Sequence, residues 1–140
     1  MKRQLNCVMM IDDDEPTNYF NSILFEAANC TRHLEIIDGG KKALDYLQNA
    51  ETGQNNFVLP DLVFLDINMP GMNGWEFLEE YEKLAHSGHR KPVIIMLSTS
   101  QSSNDTKKAN SNPQIDGFEN KPLTIGMIDR IIGRYFNIAG

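Results

Sequence analysis

Cationic side chains are scarce in this chain. Its 140 residues carry 13 Lys and Arg against 19 Asp and Glu, a formal net charge of −6. Nucleic acid and anionic membranes are bound through basic faces, so the charge balance excludes both as expected partners. Long hydrophobic runs are missing as well, none approaching the roughly 20 residues that cross a bilayer. The opening "MKRQLNCVMMIDDD" has two basic residues and a short apolar run, faintly like a signal peptide. It ends in three aspartates where a leader would have a small-residue cleavage site, and it reads instead as a buried first strand. Cysteine is limited to Cys7 and Cys30, at no metal-ligand spacing, which points to free thiols in a reducing cytoplasm. His33, His86 and His89 fall into no ligand pattern and read as surface residues.

What is present is ordinary for a globular protein: 41% hydrophobic and 23% charged residues, in a length that suits one domain over 1–140. Residues 8–11, 62–65 and 93–97 are unbroken apolar runs, the pattern of strands buried on both faces. Residues 33–38 and 114–120 are shorter or interrupted and read as edge strands. Helical spacing fills the gaps. Phe20, Ile23, Leu24 and Ala27 form an i, i+3, i+4, i+7 stripe behind Pro16, a residue tolerated in a first helical turn. Ala43, Leu44 and Leu47 mark a second helix, Phe77, Leu78, Tyr81 and Leu84 a third, and Ile128, Ile131, Ile132 and Tyr135 a fifth. The fourth, near 104–110, has Ala109 as almost its only apolar anchor and is expected to be short and weakly packed. Five strand–helix alternations predict an α/β fold: a doubly wound, five-stranded parallel sheet in the order 2-1-3-4-5. The stretch at 50–59 is longer than such connections need and reads as an insertion or an exposed loop.

In an open parallel sheet, ligands bind beyond the carboxyl ends of the strands. The residues ending each predicted strand are therefore the informative ones: Asp12, Asp13 and Asp14, then Asp66, then Ser98 and Thr99, then Asn120 and Lys121. Asp12, Asp13 and Asp66 would crowd three negative charges together, at a cost in stability. Lys121 offsets one of them, and a divalent cation would neutralise the other two. An all-oxygen donor set suits Mg²⁺ better than zinc, and the backbone carbonyl of Asn68 is placed to join it. An aspartate beside such a cation and a lysine is a nucleophile toward phosphorus, with Lys121 and the Ser98 hydroxyl available to the phosphoryl oxygens.

Four motifs then converge: "MMIDDDEP" at 9–16, "LVFLDINMPGMNGWEF" at 62–77, "VIIMLSTS" at 93–100 and "FENKPL" at 118–123. Together they resemble the receiver domain of a two-component response regulator, over essentially the whole chain, with a flavodoxin-like (βα)5 fold. The resemblance implies that Asp66 is the phosphoacceptor, loaded from a phosphohistidine on a histidine kinase or phosphotransfer protein. It implies Mg²⁺ as cofactor, held directly by Asp13, more often through water by Asp12, and by the Asn68 carbonyl. Ser98 matches the switch Ser/Thr, Lys121 the site lysine, Lys121–Pro122 a bond usually cis in the family, and Phe118 the switch aromatic. Thr99 stands where receivers commonly have Ala or Gly, which narrows access. Phe118 lacks a tyrosine's hydroxyl. Asn68 and Ser100, at the edge of the site, offer no acid or base to activate water, so phosphate loss is expected to follow access.

A hydrolase of the haloacid dehalogenase type fits less well, because it wants a second acid where Asn68 stands. A phosphate-independent interaction domain would be favoured if Asp13, Asp66, Ser98 or Lys121 were missing, and all are present. With the chain ending at Gly140, close to the last helix, the expectation is a stand-alone, chemotaxis-regulator-like switch. It would catalyse only its own phosphorylation and dephosphorylation. Its output to a downstream protein would pass through the surface of helix 4, strand 5 and helix 5.

Overall fold

The three continuous apolar runs take the centre of the sheet. In the computed structural model, which describes residues 4–53, 56–84, 91–99 and 103–136, ten elements alternate along the chain. They are β1 (Leu5–Ile11), α1 (Glu15–Ala28), β2 (Thr31–Ile37), α2 (Gly40–Glu51), β3 (Leu62–Asp66), α3 (Gly74–Lys83), β4 (Val93–Ser98), α4 (Ser103–Ser111), β5 (Gly117–Asn120) and α5 (Ile125–Phe136). The strands are all parallel, in the order β2-β1-β3-β4-β5. The two weaker sequences, β2 and β5, are the edges, as their interrupted patterns predict.

Alternation along the strands builds two cores. Met9, Ile11, Val63, Leu65, Ile94 and Met96 face α2 and α3, while Val8, Met10, Leu62, Phe64, Ile95 and Leu97 face α1 and α5. Period-two side-chain direction is enough to explain the split. Cys7 and Cys30 are buried and no disulfide joins them; burial pushes the Cys7 thiol up to about 12. No helix among the described residues is long and apolar enough to cross a membrane.

The expected apolar stripe of α1 is corrected by one residue. Phe20 and Ile23 are 52% and 50% exposed, whereas Asn21 and Phe25 are buried, with the Phe25 ring 5.8 Å from that of Phe64. Rotation by one position, about 100° on a helix, carries the face 21–24–25–28 to the sheet and leaves 20–23–27 outside. The helix starts where its caps dictate: Asp14 accepts a hydrogen bond from Thr17 N at 3.0 Å, and Pro16 lies in the first turn. It stops at Asn29, in left-handed geometry at φ 49°.

α4 packs as lightly as its composition predicts. Ala109 is its buried apolar anchor, and Lys108 extends to 5.1 Å above the Trp75 ring of α3. The segment at 50–59 is held to α2 where it is described: the Tyr46 hydroxyl donates to Val58 O and accepts from Val58 N, both at 2.9 Å. His33 is exposed on β2 beside Glu35, while His86 and His89 lie outside the described residues.

Candidate functional site

The carboxyl ends of β1, β3, β4 and β5 meet at one rim. Asp12 directly follows β1, Asp66 is the last residue of β3, Ser98 the last of β4, and Lys121 follows β5. Lys121 N donates to Ser98 O at 2.9 Å, which fixes where the lysine leaves the sheet. Its ammonium then reaches Asp12 Oδ2 at 2.5 Å and Asp66 Oδ1 at 3.2 Å. Asp12, Asp66 and Ser98 are only 3%, 6% and 0% exposed, and Asp13 stands at the open side.

One carboxylate oxygen each from Asp12, Asp13 and Asp66 lie within 4.8 Å of one another. Burial and then the Asp12 charge push the Asp66 carboxyl above its ordinary range, against the pull of Lys121. Burial alone would lower Lys121, but the hydrogen bond and charge of Asp12, followed by those of Asp66, outweigh it and raise the ammonium. One lysine thus faces three clustered acids, two of them buried. That deficit and the oxygen-only donor set fit a hard divalent cation, which Asp12, Asp13 and Asp66 could hold.

The loop after Asp66 returns tightly on it. Gly74 N donates to Ile67 O at 2.8 Å, and a Cβ at Gly74 would come 2.7 Å from Asp66 O. Gly71 takes φ +79°, a geometry that favours glycine. Asn73 and Glu76 then close a reciprocal capping box that starts α3. The loop's course is set by these residues, and it leaves the Asp66 side chain facing the rim.

Asp12, Asp13, Asp66 and Lys121 are brought together as the sequence predicts, with Ser98 on the neighbouring strand end. Asn68 is exposed in the loop, Thr99 is exposed beside Ser98, and Ser100 lies outside the described residues. Phe118 is half-buried on β5, packed against the core on the α2–α3 side. Asn18 escaped the sequence reading, and Asp14 was read there only as one of three acids ending the first strand. Asn18 donates from Nδ2 to Asp12 O at 2.8 Å, and Asp12 Oδ1 accepts from Asp14 N at 3.0 Å, so the start of α1 supports Asp12. Their signal was weak because a helix start rich in Asp and Asn ordinarily means capping alone.

Comparison with known proteins gives a consistent picture. The family model of the response regulator receiver domain matches residues 8–132. The probable methanogenesis regulatory protein FilR2 of Methanothrix harundinacea is 29% identical over 125 residues, covering 89% of this chain and 77% of that protein. The two-component response regulator ORR1 of Oryza sativa is 25% identical over 131 residues, and the match spans 92% of this chain but about half, 54%, of that protein. Among solved structures, a two-component response regulator from Cytophaga hutchinsonii superposes with a TM-score of 0.85 at 26% identity, covering 96% of this chain and 99% of its own.

Proposed function

This chain belongs to the response regulator receiver domain family, and from that premise we propose that it is a phosphorylatable switch whose acceptor is Asp66. The observation that carries the reading is the placement of Lys121, within 2.5 Å of Asp12 and 3.2 Å of Asp66, in a site still short of positive charge. Mg²⁺ bound by Asp12, Asp13, Asp66 and the Asn68 carbonyl would supply that charge and shield the phosphoryl oxygens.

In the proposed step, an ionised oxygen of Asp66 attacks the phosphorus of a phosphohistidine. A phosphorus–oxygen bond forms, the phosphorus–nitrogen bond breaks, and the imidazole leaves with its electron pair. Lys121 holds Asp66 in place and meets the charge gathering on the phosphoryl oxygens, and the Ser98 hydroxyl takes another of them. The buried strand end keeps the nucleophile from swinging, and the loop through Gly71 and Gly74 leaves the acceptor face open. Phosphate loss is set by access past Thr99 and Asn68, neither of which supplies a general base.

The phosphodonor is a histidine kinase or phosphotransfer protein. The outward face of α1 supports its docking: Tyr19, Phe20 and Ile23 are 71%, 52% and 50% exposed, and Phe20 shares a cavity wall with Lys121. For output, Ser98 moving toward a new phosphoryl group would open space for Phe118, and the lightly anchored α4 would shift along β5 and α5. A downstream protein reads that face. The test is incubation with Mg²⁺ and acetyl phosphate followed by intact-mass measurement. One phosphoryl adduct on the wild type and none on Asp66→Asn is the expected result; no adduct, or equal adducts, would overturn the reading.

A further inference from the structure

A cavity of about 720 Å³ opens at the carboxyl end of β2, between the first turns of α1 and the outer face of α2. Ile36 and Ile37 of β2 and the rings of Tyr46 and Phe57 give it apolar walls. Those rings meet edge to face with centroids 5.1 Å apart, and the Tyr46 hydroxyl is committed to the Val58 backbone. Four carboxylates line the same space, Asp13 and Glu15 from the α1 side and Asp38 and Asp45 from the α2 side. Lys42 is the one cation among the lining residues, and Asp38 holds it at 2.9 Å. Among the described residues, Asp13, Glu15 and Asp45 have no cationic side chain within ion-pair distance.

Asn18, in the wall on the α1 side, adds a second observation. Its Nδ2 donates to Asp12 O at 2.8 Å, which fixes the orientation of the amide. Its Oδ1 is buried and has no hydrogen-bond partner, a state that costs free energy and calls for a donor. The missing group is therefore an N–H, and the surrounding carboxylates favour one that carries positive charge. The acids lie on both sides of the sheet, because α1 packs on one face and α2 on the other. A single ammonium could serve only one side. The volume lies in the range of about 300–1,000 Å³ that small-molecule sites occupy.

We propose that this cavity binds a linear aliphatic polyamine. One ammonium sits on the α1 side, donating to Asn18 Oδ1 and meeting the Glu15 carboxylate, and a second meets Asp45 on α2. The methylene chain between them lies against Ile36, Tyr46 and Phe57. A divalent cation at the acceptor rim would draw on Asp13 but would leave Glu15, Asp45 and Asn18 to the polyamine. The inference goes beyond the phosphorylation switch and does not depend on it.

Spermidine is the probe, and butylamine, a single ammonium like that of a protein lysine, is the control. Titration of the isotope-labelled full chain in excess Mg²⁺, followed by amide chemical shifts, is expected to give saturable changes centred on residues 13–18, 36–49 and 57–58. Glu15→Gln and Asp45→Asn, both at exposed positions with little risk to folding, should each weaken spermidine by about fivefold, the scale of one exposed charge pair. Glu26→Gln removes the same charge from an exposed position of α1 outside the cavity and should change the affinity by less than about twofold. Butylamine should bind at least about fivefold more weakly than spermidine, for want of the second pair. Absence of saturable shifts, equal weakening by Glu26→Gln and Asp45→Asn, or equal affinity for butylamine would overturn the proposal. Acetyl phosphate labelling of Asp66, measured without spermidine, reports separately on the acceptor site.

Discussion

At the amino end of the sheet, Asp61 Oδ2 accepts from Asn6 N at 2.7 Å and Cys7 N at 3.2 Å, and Asp116 Oδ2 accepts from Ile94 N at 2.9 Å. Each acid precedes one strand and satisfies the start of its neighbour. At the carboxyl end, Asp12, Asp13 and Asp66 instead face one another across less than 4.8 Å, with Lys121 between two of them. The same side chain serves the backbone at one rim and is held in mutual repulsion at the other. Acids that meet backbone N–H groups stabilise a fold; acids crowded at a strand-end rim carry a cost that Lys121 offsets only in part.

The largest test of this contrast is the pair Asp66→Asn and Asp61→Ala. Asp66→Asn should abolish acetyl phosphate labelling and, in the absence of Mg²⁺, stabilise the protein on the order of 1 kcal/mol by removing a buried like charge. Asp61→Ala should do the reverse. It removes the acceptor of one exposed and one part-buried N–H group and costs about 1 kcal/mol in urea unfolding, while the labelling rate stays at the wild-type level. If both variants moved both quantities alike, the two rims would not differ in the way described.

Next in size is Lys121→Met. It strands Asp12 and Asp66 without their cation, and should slow labelling by at least about tenfold, the scale of losing one charged group at a phosphoryl site. Smaller is the pH dependence. The folded-state value of Asp66 is raised, so the native state binds more protons than the unfolded state above the ordinary carboxyl value. The contribution of Asp66 is therefore fully present below 3.8 and is lost as pH rises through the raised folded value. Mg²⁺-free stability should fall across that window, and Asp66→Asn should remove that slope. A stability that rose with pH in the wild type and was unchanged in the variant would contradict the assignment.

The smallest effect concerns α4. Lys108→Gln removes an exposed cation–π contact with Trp75 worth roughly 0.5–1 kcal/mol, so amide exchange across Ser103–Ser111 should quicken severalfold. The core strands should keep their protection. Unchanged exchange in α4 would show that this contact does not hold the helix.

How much of this was legible in the sequence follows from burial. β1, β3 and β4 are covered on both faces, so their unbroken apolar runs reveal the sheet's centre, and the residues that end them reveal the rim. The light packing of α4 was legible from Ala109 alone. The phase of α1 was not, because Phe20 and Ile23 continue the apolar spacing on the solvent side, while Asn21 places a polar residue on the buried side. Hydrophobic periodicity reads such a helix one position out. Asp61 and Asp116 were invisible for another reason: an aspartate in a connection looks the same whether or not it caps a neighbouring strand. Their roles depend on register across strands distant in the chain, which only the folded sheet displays.

Asp66 at the carboxyl rim is the residue on which the switch depends, and the direct measurement is to locate the phosphoryl group. Protein treated with acetyl phosphate and Mg²⁺ can be reduced with borohydride, which cleaves acyl phosphates, and its peptides sequenced by mass spectrometry. Reduction at Asp66 alone, dependent on Mg²⁺ and lost when the metal is chelated, is the predicted result. Reduction at another carboxylate, or at Asp66 with equal yield in the presence of chelator, would contradict it.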